Sequence, residues 1–380
     1  MIYFDNSATT KPCDEVITVL NEDLTGEMWG NPGSLHKLGI KAAEAYDKAH
    51  ETCASVLDCD KKELYFTSCG TESANTAILG FVKANPRAGK TVISTRTEHK
   101  CTLESLNELE KLGVTIKYVS VKRDGKPDLD ELKSLLSNDV ALLCFTHVNN
   151  ETGALLPLDE ISTLRKEFAP KAALYVDFVQ SLGKLPIDLK KMGVDMASFS
   201  AHEIHGIKGV GLLYVRKGIK AAPLIIGGGQ QDGMRSGTQS LPLAQVMATA
   251  IRQAEDHRAK AYEEVSKINS FLRQELQSRG AKINSPDDAV PFVLNVAFEN
   301  FQSETMLHCL EMHDIYISTV SACSSKSKKP SYVLESMGID RKVSSNSVRL
   351  SFSRYNTMDE AKSFIKAIDQ IYEIYEVNVR

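Results

Sequence analysis

The stretch Met196–Val215, MASFSAHEIHGIKGVGLLYV, places two apolar runs on either side of a short polar turn. The runs Met196–Phe199 and Gly211–Val215 have the length and apolar content of buried strands. A serine, a histidine and a glycine-framed loop lie between them, an arrangement typical of a turn that holds a cofactor. The conspicuous ionisable residue of this turn is an acid, Glu203, where an amine would be the useful nucleophile.

Short apolar runs of the same kind alternate with helix-length segments such as Thr71–Ala84 and Leu158–Phe168. Apolar strands that alternate with amphipathic helices are typical of a mainly parallel sheet covered on both faces. The sequence therefore predicts an α/β fold with a large domain built on a mainly parallel seven-stranded sheet sandwiched by helices. The predicted strands are Glu63–Thr67, Thr91–Ser94, Ile116–Val119, Ala141–Phe145, Ala173–Val176, Met196–Phe199 and Gly211–Val215.

After about Leu241 the alternation of apolar strands and helices gives way to a long polar helical pattern, which predicts a smaller α+β domain at the C-terminal end. We place the large cofactor-binding domain at residues 16–245, and the small domain at residues 1–15 together with 246–380. The predicted elements of the small domain are a long polar helix over Ala244–Arg279, strands over Phe292–Phe298 and Ile315–Ser318, and a helix from about Met358.

The composition of the 380 residues is that of an ordinary globular protein, 42% hydrophobic and 25% charged. A net charge of −4 gives no electrostatic reason to expect binding to nucleic acid or to an anionic membrane. No apolar run approaches the roughly 20 residues of a membrane-spanning helix, and the first residues lack a secretory pattern. We therefore expect a cytoplasmic protein.

The eight cysteines are scattered, without a CxxC pair or zinc-type spacing. In a cytosolic chain they are expected to be mostly reduced core residues, with Cys69 and Cys144 as examples. The sequence predicts no metal site. Only the neighbourhood of a cysteine can indicate that its thiol is reactive.

Polar clusters follow several of the predicted strands, at the edge of a parallel sheet where ligands gather. Thr67–Ser73, TSCGTES, leads into a helix with Gly70 and hydroxyl groups at its start, which suits a phosphate. A capping box with Thr71 or Ser68 as the cap explains the same residues. His99 follows the next strand and could stack on a planar ring or remain an ordinary surface histidine.

Asp177 comes directly after the run LYV and could be a helix cap or the partner of a protonated ring nitrogen. A dense polar cluster over His147–Gly153 follows the preceding strand. Gly227–Gly229 and Met234–Thr238 add flexible backbone and a cation, although glycine-rich loops are also ordinary turns.

In their order and spacing these motifs resemble the cysteine desulfurases of the NifS/IscS type, which are pyridoxal-phosphate enzymes of aminotransferase class V. The resemblance runs nearly end to end, from Tyr3–Thr10, YFDNSATT, to Ser347–Arg354, SVRLSFSR. It implies a pyridoxal-phosphate-dependent transferase fold and a homodimer. It also implies conversion of L-cysteine to L-alanine, with the sulfur passed on for iron–sulfur or other sulfur assembly.

The resemblance also implies roles for individual residues. His99 would stack on the ring and move protons, Asp177 would pair with the ring nitrogen, and Arg349 would clamp the substrate carboxylate. Cys323 would take the sulfur as a persulfide, and the polar loop that follows it would let it reach an acceptor or scaffold protein. The remaining implied contacts are Gly70, Thr71, Ser200 and His202 with the phosphate, Thr238 with the phosphate from the other subunit, Asn150 and Gln180 with the ring and its phenolic oxygen, and Asn6 with the substrate.

The chain departs from the family at the turn quoted first. The family has Ser-x-His-Lys there, and its lysine bonds the cofactor as an imine, whereas this chain has His202 followed by Glu203. A carboxylate cannot form an imine. Ile207 stands where the family usually has proline, and Lys208 corresponds to a different lysine of the family.

Three interpretations follow from this departure. In one, the chain has lost catalysis and persists as a sulfur-handling or binding partner. In another, pyridoxal phosphate binds without the lysine and Glu203 acts as an acid or base. In the third, Glu203 is an engineered change in an ordinary desulfurase, against which the divergence at Ile207 argues. A non-catalytic protein that holds an iron–sulfur cluster or a metal through Cys323 is a further alternative, without a dedicated ligand spacing to support it.

Overall fold

The computed structural model describes residues 1–319 and 330–379. Its strands are β1 (Ile2–Tyr3), β2 (Leu64–Thr67), β3 (Thr91–Thr95), β4 (Thr115–Val119), β5 (Val140–Thr146), β6 (Ala173–Asp177), β7 (Met196–Ser200), β8 (Gly211–Val215), β9 (Lys282–Ile283), β10 (Val293–Ala297), β11 (Ile315–Tyr316), β12 (Ser318–Thr319) and β13 (Ser347–Ser351). Its α-helices are α1 (Asp14–Thr25), α2 (Lys37–Leu57), α3 (Gly70–Ala84), α4 (Lys100–Lys111), α5 (Leu129–Leu135), α6 (Leu158–Phe168), α7 (Leu241–Ser278), α8 (Ser303–Glu311), α9 (Tyr332–Ser336), α10 (Arg341–Ser345) and α11 (Met358–Val379).

A seven-stranded sheet forms the centre of the large unit, in the order β2-β8-β7-β6-β5-β3-β4. β8 runs antiparallel to both of its neighbours, and the other adjacent pairs are parallel. All residues of β6 and β7 are buried, as expected for strands covered on both faces. The predicted fold class, a mainly parallel sheet between helices, is confirmed.

Alternate residues of the central strands serve two different cores. Leu143 and Phe145 of β5 point into one hydrophobic cluster, which the residues around α2 and the start of α7 complete. Leu142 and Cys144 point into the other, with the apolar face of α3 and α4. This period of two explains why the strands read as continuous apolar runs in the sequence.

A second unit has its own sheet, in the order β12-β13-β10-β9, with a separate hydrophobic core. The predicted strand over Ile315–Ser318 is two strands here, because β11 pairs with β1 while β12 pairs with β13. The helix α7 contributes Ala254 to the core of the large unit and Ala261 to that of the second. Phe4 from the N-terminal segment lies in the second core.

The topology brings several loops to one edge of the large sheet, where β3, β5, β6 and β7 end. The second unit reaches the same edge through β12 and β13. Among the described helices, none combines the length and hydropathy that a membrane span would need.

Candidate functional site

A cavity of about 380 Å³ lies at the edge where these strand ends meet. Ten of the residues predicted for the site line this cavity, although they come from segments that are far apart in the sequence. They are Gly70, Thr71, His99, Asn150, Asp177, Gln180, Ser200, His202, Glu203 and Arg349.

The N-terminus of α3 forms one wall of the cavity. Its N-cap residue is Cys69, whose side chain makes no capping hydrogen bond. Ser68 lies before the helix, and its backbone N–H donates a hydrogen bond to the carboxylate of Glu72 at 2.7 Å. Neither Thr71 nor Ser68 is therefore the cap, and the first N–H groups of the helix can serve an anion.

Two other residues of the cavity lining carry buried polar atoms without a partner in the described part of the chain. The Ser200 hydroxyl oxygen and Nδ1 of His202 have no hydrogen-bond partner among the described residues. A Cβ added to Gly70 would lie 3.1 Å from Cγ2 of Val179 and 3.6 Å from Cβ of Ser200. The close approach leaves little space for a larger side chain where α3 begins, and together these features fit a phosphate group.

Asp177 ends β6 and is buried against the cavity. Its Oδ1 accepts a hydrogen bond from the backbone N–H of Val179 at 2.9 Å. Burial raises the pKa of Asp177, and the nearby His99 opposes that rise. A buried carboxylate in this position is suited to a cationic group on a ligand.

His99 is the N-cap of α4, and its Nδ1 accepts a hydrogen bond from the backbone N–H of Cys101 at 3.2 Å. The Cys101 sulfur lies 2.9 Å from the same nitrogen. Because Nδ1 accepts from the backbone, a neutral His99 carries its hydrogen on Nε2. The ring is thereby held in one orientation, as a group that stacks on a ligand or relays protons requires.

Lys184 is a functional candidate that the sequence analysis missed. Its Nζ is buried and donates a hydrogen bond to Oε1 of Gln180 at 2.7 Å. The amide nitrogen of Gln180 lies 3.4 Å from the carbonyl oxygen of Ser7. Burial lowers the pKa of Lys184 to about 8, an effect that the charge of Glu203 opposes. The signal in the sequence was the spacing of Gln180 and Lys184, which places the two side chains one turn apart.

Arg349 comes from β13 and has its guanidinium group in the cavity wall. One nitrogen pairs with Oδ1 of Asp5 at 2.9 Å, and another donates to the carbonyl oxygen of Asn150 at 3.1 Å. Its Nε is buried without a hydrogen-bond partner among the described residues. Burial raises the pKa of Asp5, whereas the charge of Arg349 lowers it. A ligand carboxylate that binds Arg349 would therefore share its guanidinium group with the carboxylate of Asp5.

Glu203 ends a short 3₁₀ turn after β7, and only 5% of its side chain is exposed. Its Oε1 lies 3.9 Å from Nδ1 of His202, and its Oε2 has no hydrogen-bond partner among the described residues. The side chain of Thr10 donates to the carbonyl oxygen of His202 at 2.7 Å and fixes the turn. Lys208 is exposed and lies outside the cavity lining, so it does not supply the amine that is missing at position 203.

Among the described residues, two of those predicted for the site are not part of this cavity lining. Asn6 donates hydrogen bonds to the backbone oxygens of Tyr3 and Ser351, and it lines a neighbouring cavity of about 30 Å³ that Glu203 and Lys184 also border. Thr238 is exposed. Cys323 lies outside the described residues.

The cysteines differ in part from the expectation of buried core residues. Cys53 and Cys144 are fully buried, whereas Cys69 and Cys101 are partly exposed and line the cavity. Cys69 was expected to be a core residue, and that expectation was wrong because it caps α3 at the cavity wall. Within the described residues, no group of three or more His, Cys, Asp or Glu side chains is arranged to hold a metal.

Comparison with known proteins finds relatives that match nearly the whole chain. The model of the class V aminotransferase family matches residues 2–364. A NifS/IcsS protein homolog of Lactobacillus delbrueckii subsp. bulgaricus is 40% identical over 98% of this chain and 97% of its own length. The cysteine desulfurase NifS of Azotobacter vinelandii is 36% identical over 97% of this chain and 92% of its own.

Solved structures show the same likeness over nearly the whole chain. A structure described as a NifS-like protein superposes with a TM-score of 0.93 at 37% identity, covering 98% of this chain and 99% of the other. The structure of SspA in complex with cysteine has a TM-score of 0.83 at 29% identity, covering 94% of this chain and 100% of the other.

Proposed function

The chain belongs to the aminotransferase class V family, within its NifS/IscS-type cysteine desulfurases, and we propose that it is a desulfurase-like protein with an altered cofactor attachment. The proposed reaction converts L-cysteine and the thiol of Cys323 to L-alanine and a persulfide on Cys323. The C–S bond of the substrate breaks and an S–S bond forms on the protein, so that no external oxidant or reductant is needed.

The observation that carries this proposal is the convergence of the predicted side chains on one cavity. The unpartnered Ser200 and His202 atoms and the open start of α3 fit the phosphate of pyridoxal phosphate. The buried carboxylate of Asp177 fits its protonated ring nitrogen. Glu203 does not fit the covalent bond. The cofactor is therefore expected to bind reversibly, through its phosphate and ring alone.

When bound, pyridoxal phosphate supplies an electron sink for cleaving bonds next to the amino carbon of a substrate. The chain supplies the surrounding groups. His99 is held with Nε2 available to move a proton, Gln180 is oriented by Lys184, and Arg349 offers positive charge to a substrate carboxylate. Cys323 is proposed as the thiolate that receives the sulfur, and Thr238 as a phosphate contact to a second copy of the chain.

A second candidate function is that of a sulfur-handling partner without turnover of cysteine. The position of Glu203 favours it, because the carboxylate removes the covalent attachment that family members use. In this role, Cys323 would accept a persulfide from another protein and pass it to an acceptor or to an iron–sulfur scaffold protein.

The test is a visible spectrum of the purified chain with added pyridoxal phosphate, before and after L-cysteine, together with the yield of L-alanine. We expect reversible cofactor binding and a slow yield of alanine that depends on Cys323. Binding without alanine would select the partner function. No binding of pyridoxal phosphate or of its analogues would overturn the assignment of the cavity as a cofactor site.

A further inference from the structure

Glu203 has a buried carboxylate that borders the proposed cofactor cavity and lacks a partner at Oε2 among the described residues. An ionised carboxylate that is removed from water needs a nearby cation or hydrogen-bond donors. The same cavity also contains the buried carboxyl groups of Asp177 and Glu151. The unpartnered oxygen of Glu203 therefore calls for an explanation in terms of what binds there.

The described cations near Glu203 donate no hydrogen bond to its Oε2. Lys184 is close enough for the charge of Glu203 to affect its pKa, but its amine donates to Gln180 at 2.7 Å. The guanidinium of Arg349 pairs with Asp5 at 2.9 Å. Nδ1 of His202 lies 3.9 Å away, beyond hydrogen-bond distance.

The phenol of Tyr3 does not complete the carboxylate either. Its hydroxyl donates to the backbone oxygen of Thr9 at 3.0 Å. Burial raises the pKa of Tyr3 to about 12, and the charges of Asp5 and Glu203 add to that rise, so the phenol stays neutral. The described groups around Glu203 thus leave its Oε2 without a hydrogen-bond donor, in a residue that lines the cavity.

We propose that Glu203 makes this cavity selective for the amine form of the cofactor, pyridoxamine phosphate, over the aldehyde form, pyridoxal phosphate. This inference rests on the proposed function, since it assumes that the cavity takes the phosphate and ring of this cofactor class. The aminomethyl group of pyridoxamine phosphate carries an ammonium, which would donate to the carboxylate of Glu203. The aldehyde oxygen of pyridoxal phosphate is only an acceptor and would face a second acceptor.

The length of the side chain agrees with this selection. A lysine at this position brings its own nitrogen to the ligand and bonds through it. A glutamate is one atom shorter and brings an acceptor, so the nitrogen has to come with the ligand. With lysine at this position the protein contributes the amine, and with glutamate the ligand has to contribute it.

The magnitude follows from the strength of a charge-assisted hydrogen bond, which is about twice that of a neutral one. We expect pyridoxamine phosphate to bind at least about tenfold more tightly than pyridoxal phosphate, which corresponds to about 1.4 kcal/mol. Pyridoxine phosphate has a neutral hydroxymethyl group in the same place. It should bind more weakly than the amine and at least as well as the aldehyde.

The test is a calorimetric titration of the purified full-length chain with each of the three ligands. If all three bind equally, the selectivity proposal is overturned while the cofactor site stands. If none binds, both proposals fail. Tighter binding of pyridoxal phosphate with a borohydride-stable adduct on a lysine would overturn the proposal as well.

Two variants assign the selectivity to position 203. Glu203→Gln keeps the shape and removes the charge, so the ratio of the two affinities should fall to about one while pyridoxal phosphate still binds. Glu151→Gln removes another buried carboxyl group of the same cavity, and the ratio should stay at its wild-type value. An equal loss of selectivity in both variants would contradict a specific contact at Glu203. Thermal denaturation checks that each variant folds.

Discussion

Lys184 holds the amide of Gln180 in a defined orientation, with Nζ donating to Oε1 over 2.7 Å. An ammonium or amine that donates in this way requires the amide oxygen on its side, so the NH₂ group of Gln180 points away from it. Since Gln180 borders the cavity, Lys184 acts on a ligand through another residue. This makes it a positioning residue of the proposed site.

Replacing Lys184 with methionine tests that relationship. Lys184→Met should weaken binding of pyridoxamine phosphate about fivefold to tenfold, because the amide of Gln180 loses its fixed orientation and the positive charge next to it. In the wild type, affinity for the anionic ligand should also fall as the pH rises through about 8, where Lys184 loses its proton. The variant should lack this inflection. Lys208→Met, at an exposed lysine, is the control, and an unchanged pH profile in Lys184→Met would contradict the assignment.

Restoring the family lysine tests how much of the site has been kept. Glu203→Lys should give a yellow protein in which borohydride fixes pyridoxal phosphate to residue 203, because the residues proposed to hold the phosphate and ring line one cavity. Peptide mass spectrometry locates the adduct. An adduct on Lys208 would show that the loop can rearrange. A folded variant without an adduct would point to Ile207 as a further change that blocks the lysine.

Glu98 gives the folded state a pH dependence that can be isolated. Burial raises the pKa of Glu98 to about 7, against a hydrogen bond from Thr95 that lowers it. The folded state therefore keeps the proton between about pH 4.5 and 7 while the unfolded chain releases it, so this group's contribution to stability is lost as the pH rises. Relative to the wild type, Glu98→Gln should gain about 3 kcal/mol in the free energy of unfolding between pH 4.5 and 8.

The measurement for this prediction is urea denaturation at several pH values. Buried His147, whose pKa burial lowers to about 4, contributes in the opposite sense over part of the range. The comparison with the wild type removes that contribution, since both proteins contain His147. Glu108→Gln, at an exposed glutamate, should run parallel to the wild type. A parallel course for Glu98→Gln would contradict the raised pKa.

Cys323 is predicted to be the most reactive of the eight cysteines. Lys326, Lys328 and Lys329 follow it closely, and nearby cations favour the thiolate. A mild alkylating agent should label Cys323 before the other seven, and Cys144 should be among the slowest, because burial raises its pKa. The same peptide should carry a persulfide after incubation with a persulfide donor. Labelling of Cys323 that is no faster than that of Cys144 would argue against a sulfur-handling role.

The strand pattern was readable from the sequence because burial on both faces leaves continuous apolar runs. The strand predicted at Gly211–Val215 has the observed bounds, and the helix over Leu158–Phe168 does as well. Ten of the predicted site residues line one cavity, since polar groups that follow neighbouring strand ends of an α/β sheet meet at one edge. Their roles came from the family resemblance and stay predictions.

The contacts between distant segments were not readable. Asp5 and Arg349 form an ion pair although nearly the whole chain separates them, and no local pattern specifies such a pairing. The division at Ile317 was missed for a similar reason, since the chain there changes from one sheet to another without a turn signal. The hydrogen bond between Lys184 and Gln180 could not be predicted from the sequence, because an exposed lysine would bind water and only the fold shows that Lys184 is buried.

The 38-residue helix α7 has a mechanical consequence. At about 1.5 Å per residue it is a rod of about 57 Å, and its two ends are anchored in different cores. Neither core can melt without releasing one end of a shared element, so the loss of one removes packing that the other relies on. Heating should therefore give a single calorimetric transition in place of two. Local unfolding at one end of the helix would destabilise the core at its other end.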